Sequence, residues 1–120
     1  MNMMIQAQGF KLTEGLTEHA KRRLRFALSR SSEQIQRVKV RLTDINGPRG
    51  GVDKRCRIEI QIPSQPALMI EQLDSDMYVA ISRSAARAER RVIGHLKRKQ
   101  FTRSPRNTYG FEPQEATVTN

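Results

Sequence analysis

The chain has 120 residues, which is a usual size for one domain and is enough to bury a core without disulfide or metal staples. Lysine and arginine number 22 against 12 acidic residues, and the resulting net charge of +10 suits a polyanionic partner. A single cysteine excludes an internal disulfide and, with only two histidines, leaves no set at zinc-site spacing. Neither a signal peptide nor an apolar run of membrane-spanning length stands out, so we expect a soluble cytoplasmic protein.

The first half of the chain shows two hydrophobic periods. Residues 3–8 alternate between apolar and polar side chains and predict a short strand that ends at Gly9. From Thr13 to about Ser29 apolar residues recur every three or four positions, which predicts an amphipathic helix with Thr13 as its cap. Residues 35–44 return to strict alternation and predict a half-buried strand.

The second half repeats the strand pattern and ends in a long helix. Turn-forming residues at 46–51 separate the preceding strand from an alternating segment at 56–62, which predicts an antiparallel hairpin. A fourth strand is predicted over residues 67–73. The polar residues 74–76 offer N-cap chemistry for an amphipathic helix over about 77–100.

These elements predict an α+β fold with the order β-α-β-β-β-α. One apolar face of a four-stranded sheet needs a cover, and each of the two helices has one apolar stripe to provide it. We therefore expect a two-layer sandwich with both helices packed on one face, an arrangement like that of double-stranded-RNA-binding domains. This domain should span residues 1–100, and residues 101–120 should form a flexible tail.

Signals for catalysis are weak. The glycine cluster at 47–51 opens a strand rather than a helix, so it does not fit a phosphate-binding loop. His19 and His95 have no serine, cysteine or carboxylate partner at a recognisable catalytic spacing. Cys56 falls on the apolar side of its strand and should be a buried, inert thiol. We expect no enzymatic activity.

Three carboxylates near the basic hairpin leave one enzymatic hypothesis open. Asp44, Asp53 and Glu59 could gather around a divalent ion, as in a small enzyme that acts on RNA. Their surroundings are strongly basic, so salt bridges with Arg55 or Arg57 are the favoured interpretation. No metal or other cofactor is therefore expected.

The distribution of charge favours a polyanion over a merely solvated surface. Twelve cations and three acids lie between His19 and Arg57, and nine cations and two acids lie between Ser75 and Arg106. On the second helix, Glu89 is the one acid among four arginines, so their repulsion is unrelieved unless an anion binds. The predicted strands hold no aromatic residue for stacking on bases. Recognition of a folded RNA through its phosphates and shape is expected.

Two segments resemble a known family. The opening Ile5-Gln6-Ala7-Gln8-Gly9-Phe10-Lys11-Leu12-Thr13 and the stretch Asp76-Met77-Tyr78-Val79-Ala80-Ile81 are similar to segments of the ribosome hibernation-promoting factor and ribosome-associated inhibitor A family, in its single-domain short form. The second stretch resembles the family's Asp-Leu-Tyr-Ala-Ala-Ile signature at the start of the second helix. The resemblance, which includes the order of the elements, covers about five-sixths of the chain.

The resemblance implies a ribosome-associated regulator of translation. Such a protein binds the small ribosomal subunit and its rRNA between head and body, where transfer RNA and messenger RNA otherwise sit, and holds ribosomes idle in stationary phase or stress. No small-molecule substrate, cofactor or membrane is implied. Position on the two helices makes the following residues the candidates for contact with RNA: Lys21, Arg22, Arg25, Arg83, Arg87, Arg90, Arg91, Lys97 and Arg98.

Several features depart from the family pattern and leave alternatives open. The connection at 44–56 is longer and richer in glycine than usual, and the strand faces around it are unusually basic, with Arg37, Lys39, Arg41, Arg55 and Arg57. A second RNA surface is therefore an open alternative, and which basic face contacts RNA is undecided. The tail is too short for the dimerisation domain of the long forms and lacks a strongly acidic end. Pairing of ribosomes and the oligomeric state are therefore open. The alternative function is a general structured-RNA or DNA binding module without ribosome specificity.

Overall fold

A computed structural model describes residues 1–45 and 52–103, with side chains described as far as Lys97. The elements follow the predicted order, and a 3-10 helix at Ser29–Gln34 joins the first helix to the second strand. They are β1 (Asn2–Gln8), α1 (Glu14–Ala27), β2 (Arg37–Asp44), β3 (Lys54–Gln61), β4 (Leu68–Asp74) and α2 (Met77–Arg103). The predicted glycine-rich turn at 46–51 lies outside the described residues.

The four strands form one mixed sheet in the order β1-β2-β3-β4. β1 is parallel to β2, and the other two neighbouring pairs are antiparallel. The register aligns Ile5, Val40, Ile58 and Ile70 in one row across all four strands. Because side chains alternate along a strand, the neighbouring row faces the other way and carries polar and charged residues. The register therefore divides the sheet into an apolar face and a charged face.

Both helices cover the apolar face within the compact unit Met1–Arg90. Ala20 and Leu24 of α1 and Ala80 and Ile81 of α2 are fully buried. The sheet side of this core is formed by the strand residues Val38, Val40, Leu42, Cys56, Ile58, Ile60 and Ile70. This is the two-layer α+β fold that the sequence predicted. α2 continues into a second unit, Arg91–Asn120, so the predicted domain boundary at residue 100 remains a prediction.

Side-chain caps set where the helices begin. The Thr13 Oγ1 accepts a hydrogen bond from the Leu16 N–H at 3.2 Å, which confirms the predicted cap of α1. At the start of α2, Asp76 Oδ1 accepts from the Tyr78 N–H at 2.9 Å. Asp74 Oδ1 accepts from the N–H of Ser75 at 2.8 Å and so orders the turn between β4 and α2. The N-cap prediction is confirmed there as well.

Gly9 ends β1 in a conformation that other residues adopt with strain. Its φ is +87°, and a Cβ atom at this position would lie 2.9 Å from the carbonyl oxygen of Asp44. Both the positive φ and the close backbone approach therefore require glycine. This close approach fixes the turn into α1 against the end of β2.

Replacing Gly9 with alanine should destabilise the protein by about 2 kcal/mol, because the new methyl group meets a backbone carbonyl at a strained φ. Urea denaturation of the Gly9→Ala variant measures this effect. Gln8→Ala, at the exposed neighbouring position, is the control and should change stability by less than about 0.5 kcal/mol. Equal stability of the two variants would contradict the strain argument.

Candidate nucleic-acid interface

The three predicted contact residues of α1 lie near its carboxyl end. Arg22 and Arg25 are exposed and Lys21 is half-buried. Among the described residues, none of the three has an ion-pair partner. Arg25 lies in the last turn, where the helix dipole favours a cation. These charges are therefore available to a bound anion.

Two of the arginines on α2 are already engaged with strand β4. Arg83 Nη1 lies 3.1 Å from Asp74 Oδ2, and Arg87 Nη1 donates to the carbonyl oxygen of Glu71 at 2.6 Å and to Gln72 Oε1 at 2.9 Å. The expectation that the repulsion among the arginines of α2 is unrelieved unless an anion binds is thus wrong for Arg83 and Arg87, because β4 supplies their partners. Arg90 is exposed and makes no ion pair with a described residue.

The remaining candidates belong to the second unit. Arg91 and Lys97 are both exposed, and Arg91 has an interaction partner. Arg98 lies in α2, in the stretch whose side chains are outside the described part of the chain. The structure thus presents seven of the eight described candidates as exposed cations and one, Lys21, as half-buried.

A polar contact between the helices fixes their relative position. His19 Nε2 lies 3.0 Å from Ser82 Oγ and 3.2 Å from the Tyr78 carbonyl oxygen, and its ring meets the Tyr78 ring edge to face at 4.9 Å. Gly15 gives Tyr78 room, since a Cβ there would lie 2.9 Å from the Tyr78 hydroxyl. Sequence reasoning missed the serine partner because it is 63 residues away. No carboxylate of a described residue bonds the imidazole, so the pair lacks the acid of a catalytic triad.

Two carboxylates at the base of the hairpin share one lysine as their ion-pair partner. Lys54 Nζ lies 2.8 Å from Asp53 Oδ1 and 3.3 Å from Asp44 Oδ1, and the Asp53 side chain is fully buried. The hydrogen bond with Asp53 is the main reason that the pKa of Lys54 is raised. Within the described residues, no group of three or more histidine, cysteine or acidic side chains could hold a metal ion.

The predicted partners of these carboxylates were therefore wrong. Asp44 and Asp53 pair with Lys54 rather than with Arg55 or Arg57, because the register places Lys54 directly opposite Asp44. Arg55 instead pairs with Glu71 of β4, at 3.4 Å. Glu59 forms no ion pair with a described residue. The sequence correctly predicted that Asp44 and Asp53 form salt bridges, but their partner depends on the register of the strands.

The face of the sheet opposite the helices is the second cationic surface. Arg37, Lys39 and Arg41 of β2 and Arg57 of β3 are exposed there. The sequence left a second RNA surface on these strands open and placed the predicted contact residues on the helices. Their orientation away from the core follows from the buried positions of the alternate residues.

Cys56 is buried in the core as predicted. Burial raises the pKa of its thiol to about 11, although the Ser84 hydroxyl, which donates to Sγ at 3.0 Å, opposes the shift. The thiol is thus protonated at neutral pH and inaccessible to substrates.

In the described part of the chain, neither helix combines the length and apolarity needed to cross a bilayer.

Residues 3–100 match the sequence pattern of the family described as sigma 54 modulation protein / S30EA ribosomal protein. The chain belongs to this family. The resemblance to hibernation-promoting factors is confirmed, and with it the expectation of a ribosome-associated protein that regulates translation.

Solved structures show the same fold as this S30EA family member. The N-terminal domain of Protein Y from Thermus thermophilus is 21% identical, with a TM-score of 0.64 over 79% of this chain and 99% of that chain. A ribosomal subunit interface protein from Coxiella burnetii is 16% identical, with a TM-score of 0.67 over 81% of this chain and 99% of that chain. No curated protein sequence is significantly similar to the chain.

The buried thiol should not react in the folded protein. With a pKa of about 11, roughly one thiol in a thousand is ionised at pH 8, and burial separately blocks the access of a reagent to the sulfur. Ellman's reagent should therefore label Cys56 only after denaturant is added. Because the thiolate fraction rises with pH up to the pKa, any residual labelling should be faster at pH 9 than at pH 8. Rapid, complete labelling of folded protein at pH 8 would contradict this placement.

The two exposed arginines Arg87 and Arg90 should behave differently when each is replaced. Arg87→Ala should lower stability by about 1 kcal/mol, because it removes two hydrogen bonds that attach α2 to β4. Arg90→Ala is the matched control on the same helix and should stay within about 0.5 kcal/mol of the parent protein. Chemical denaturation measures both. If the two variants were equally stable, the hydrogen bonds of Arg87 to β4 would contribute nothing to stability.

Proposed function

We propose that this S30EA family member binds the small ribosomal subunit through its rRNA, at the sites that transfer RNA and messenger RNA use, and holds ribosomes idle in stationary phase or stress. The family match over residues 3–100 carries the proposal. The exposed cations on the two helices supply the chemistry, because guanidinium groups bind phosphates through paired hydrogen bonds. The contact residues we propose are Lys21, Arg22, Arg25, Arg83, Arg87, Arg90, Arg91, Lys97 and Arg98.

The mechanism is binding rather than chemical conversion. Among the described residues, His19 and Ser82 have no orienting carboxylate, and Cys56 is a buried, protonated thiol. A rigid protein seated in the cleft blocks the RNAs that use it by occupying their space. We therefore propose a non-enzymatic factor that works in the cytoplasm, where ribosomes translate.

Rigidity supports this mode of binding. The His19 contact with Ser82 fixes the helices to each other, and Arg87 fixes α2 to β4. With the helices already held in place, only the side chains of the cations become ordered when they meet phosphates, so less of the interaction is offset by ordering. We assign ribosome binding to the domain 1–100 and leave the tail 101–120 outside it.

The test is cosedimentation with ribosomes in a sucrose gradient at several salt concentrations. The parent protein should migrate with small subunits and whole ribosomes, and its binding should weaken steeply with salt. The variant Arg22→Ala with Arg25→Ala should bind more weakly, with a salt slope reduced by about 0.7 to 0.9 for each phosphate that it no longer binds. These residues are chosen because, among the described residues, neither has an ion-pair partner whose removal would disturb the fold.

A second variant, which loses the same amount of positive charge as the Arg22→Ala, Arg25→Ala variant, tests whether the position of the cations matters. Lys11→Ala with Arg30→Ala removes two exposed cations outside the proposed contact set. It should sediment like the parent protein. Equally weakened binding in both variants, or indiscriminate binding of the parent protein to duplex RNA and DNA without ribosome association, would favour the general binding module. A peak of paired ribosomes that depends on the protein would assign it to the branch that pairs them.

A further inference from the structure

The open face of the sheet carries more cations than its acids neutralise. Five basic residues, Arg37, Lys39, Arg41, Arg55 and Arg57, point away from the helices. Two acids, Glu59 and Glu71, share this face, and Glu71 is paired with Arg55. In the described part of the chain, the other four cations have no ion-pair partner.

Two of these cations are held directly opposite each other. Arg41 of β2 and Arg57 of β3 are register partners in the antiparallel pair at the centre of the sheet. Opposed residues in such a pair have Cα atoms about 4.5 to 5.5 Å apart, and like charges there destabilise the sheet. Glu71 of β4 lies opposite Arg57 on its other side, but its carboxylate forms an ion pair with Arg55. A bound anion between the guanidinium groups of Arg41 and Arg57 would relieve the repulsion that remains.

Two depressions lie among these cations on the surface of the sheet. A depression of about 160 Å³ is lined by Lys39, Arg41 and Arg57, with Gln6 of β1 at its side. A second depression of about 90 Å³ is lined by Arg37, Lys39 and Gln61. Because Lys39 borders both, the two depressions follow β2 along about 13 Å from Arg37 to Arg41.

Glu59 is the carboxylate that borders both depressions, and it does not neutralise them. It lies opposite Lys39 in the register, and within the described residues the two form no ion pair. Three cations remain around it in the larger depression. Because Glu59 lies on β3 and would repel a phosphate beside it, the carboxylate favours a path for the anion along β2, over Arg37, Lys39 and Arg41.

We infer that the open sheet face is a second RNA-binding surface, on which the phosphate backbone of one RNA strand runs along β2 between Arg37 and Arg41. Consecutive side chains on this face are about 7 Å apart, a spacing comparable with that of successive phosphates. The four described strands hold no aromatic residue for base stacking, so the contact is independent of sequence. The surface itself selects a polyanion, and the choice of RNA as that polyanion rests on the proposed function.

The experiment measures the affinity of the full chain for a short oligouridylate, by fluorescence anisotropy at several salt concentrations. Arg41→Gln with Arg57→Gln removes the opposed pair and keeps side chains of polar, extended shape. With two fewer phosphates bound, the salt slope should fall by about 1.4. Arg41→Lys with Arg57→Lys, which keeps the charge, should retain the slope of the parent protein. Lys11→Gln with Arg30→Gln is the control: it removes the same charge as the Arg41→Gln, Arg57→Gln variant and should also retain the salt slope of the parent protein.

Thermal unfolding without RNA separates a binding role from a structural one. Removing the like-charge pair should raise the Tm of the glutamine variant by roughly 2 to 4 °C, because the repulsion between the strands is gone. A variant that binds RNA less well and yet is more stable is the expected result. A lower Tm, an unchanged salt slope, an equal change in the control or no binding of oligouridylate by the parent protein would each overturn the inference.

Ribosome cosedimentation keeps this inference distinct from the proposed function. If the parent protein binds oligouridylate through Arg41 and Arg57 but does not sediment with ribosomes, the proposed function fails and the sheet surface stands. If the parent protein sediments with ribosomes and the glutamine variant keeps the full salt slope for oligouridylate, the sheet inference fails and the proposed function stands.

Discussion

The pairing of β2 with β3 is the constraint on which the rest of the structure depends. Val40 faces Ile58 in this pair, and the next residue on β2, Arg41, faces Arg57. A shift of the pairing by one residue would turn a row of cations toward the helices and a row of aliphatic side chains toward water, at a large cost in free energy. One register therefore decides both which face the helices cover and where the sheet carries positive charge.

The helices do more than cover the core, because their polar contacts determine which cations are available to a partner. Arg87 donates to a backbone carbonyl of β4, an edge strand whose outer groups would otherwise invite pairing with another chain. Arg90, three residues further along the same helix, has no such contact with the described residues. Two residues of the same type on one helix thus have different roles, since one of them bonds to β4 and the other does not.

The sequence was sufficient to predict the order of the elements, the sheet face that the helices cover and the starts of both helices, because these features depend on local periodicity and capping. Thr13 and Asp76 cap helices through atoms two or three residues away. The 3-10 helix after α1 has no hydrophobic period, which explains why it was not predicted. The contact between His19 and Ser82 and the engagement of Arg87 were missed for another reason: their partners are 63 and 15 or 16 residues away, and only the packed structure brings them together.

Cations on the two sides of the sheet differ in what an RNA would have to displace. Arg83 keeps its pairing with Asp74 while 63% of its side chain is exposed, so a phosphate there competes with a carboxylate. Arg41 and Arg57 lie opposite each other, and among the described residues neither forms an ion pair, because Glu71, which faces Arg57 from β4, is paired with Arg55. A phosphate between them relieves a repulsion as well as making new hydrogen bonds, so each contact on the sheet adds more to binding than a similar contact at Arg83. The strength of a basic surface therefore depends on how many of its charges are already satisfied within the protein.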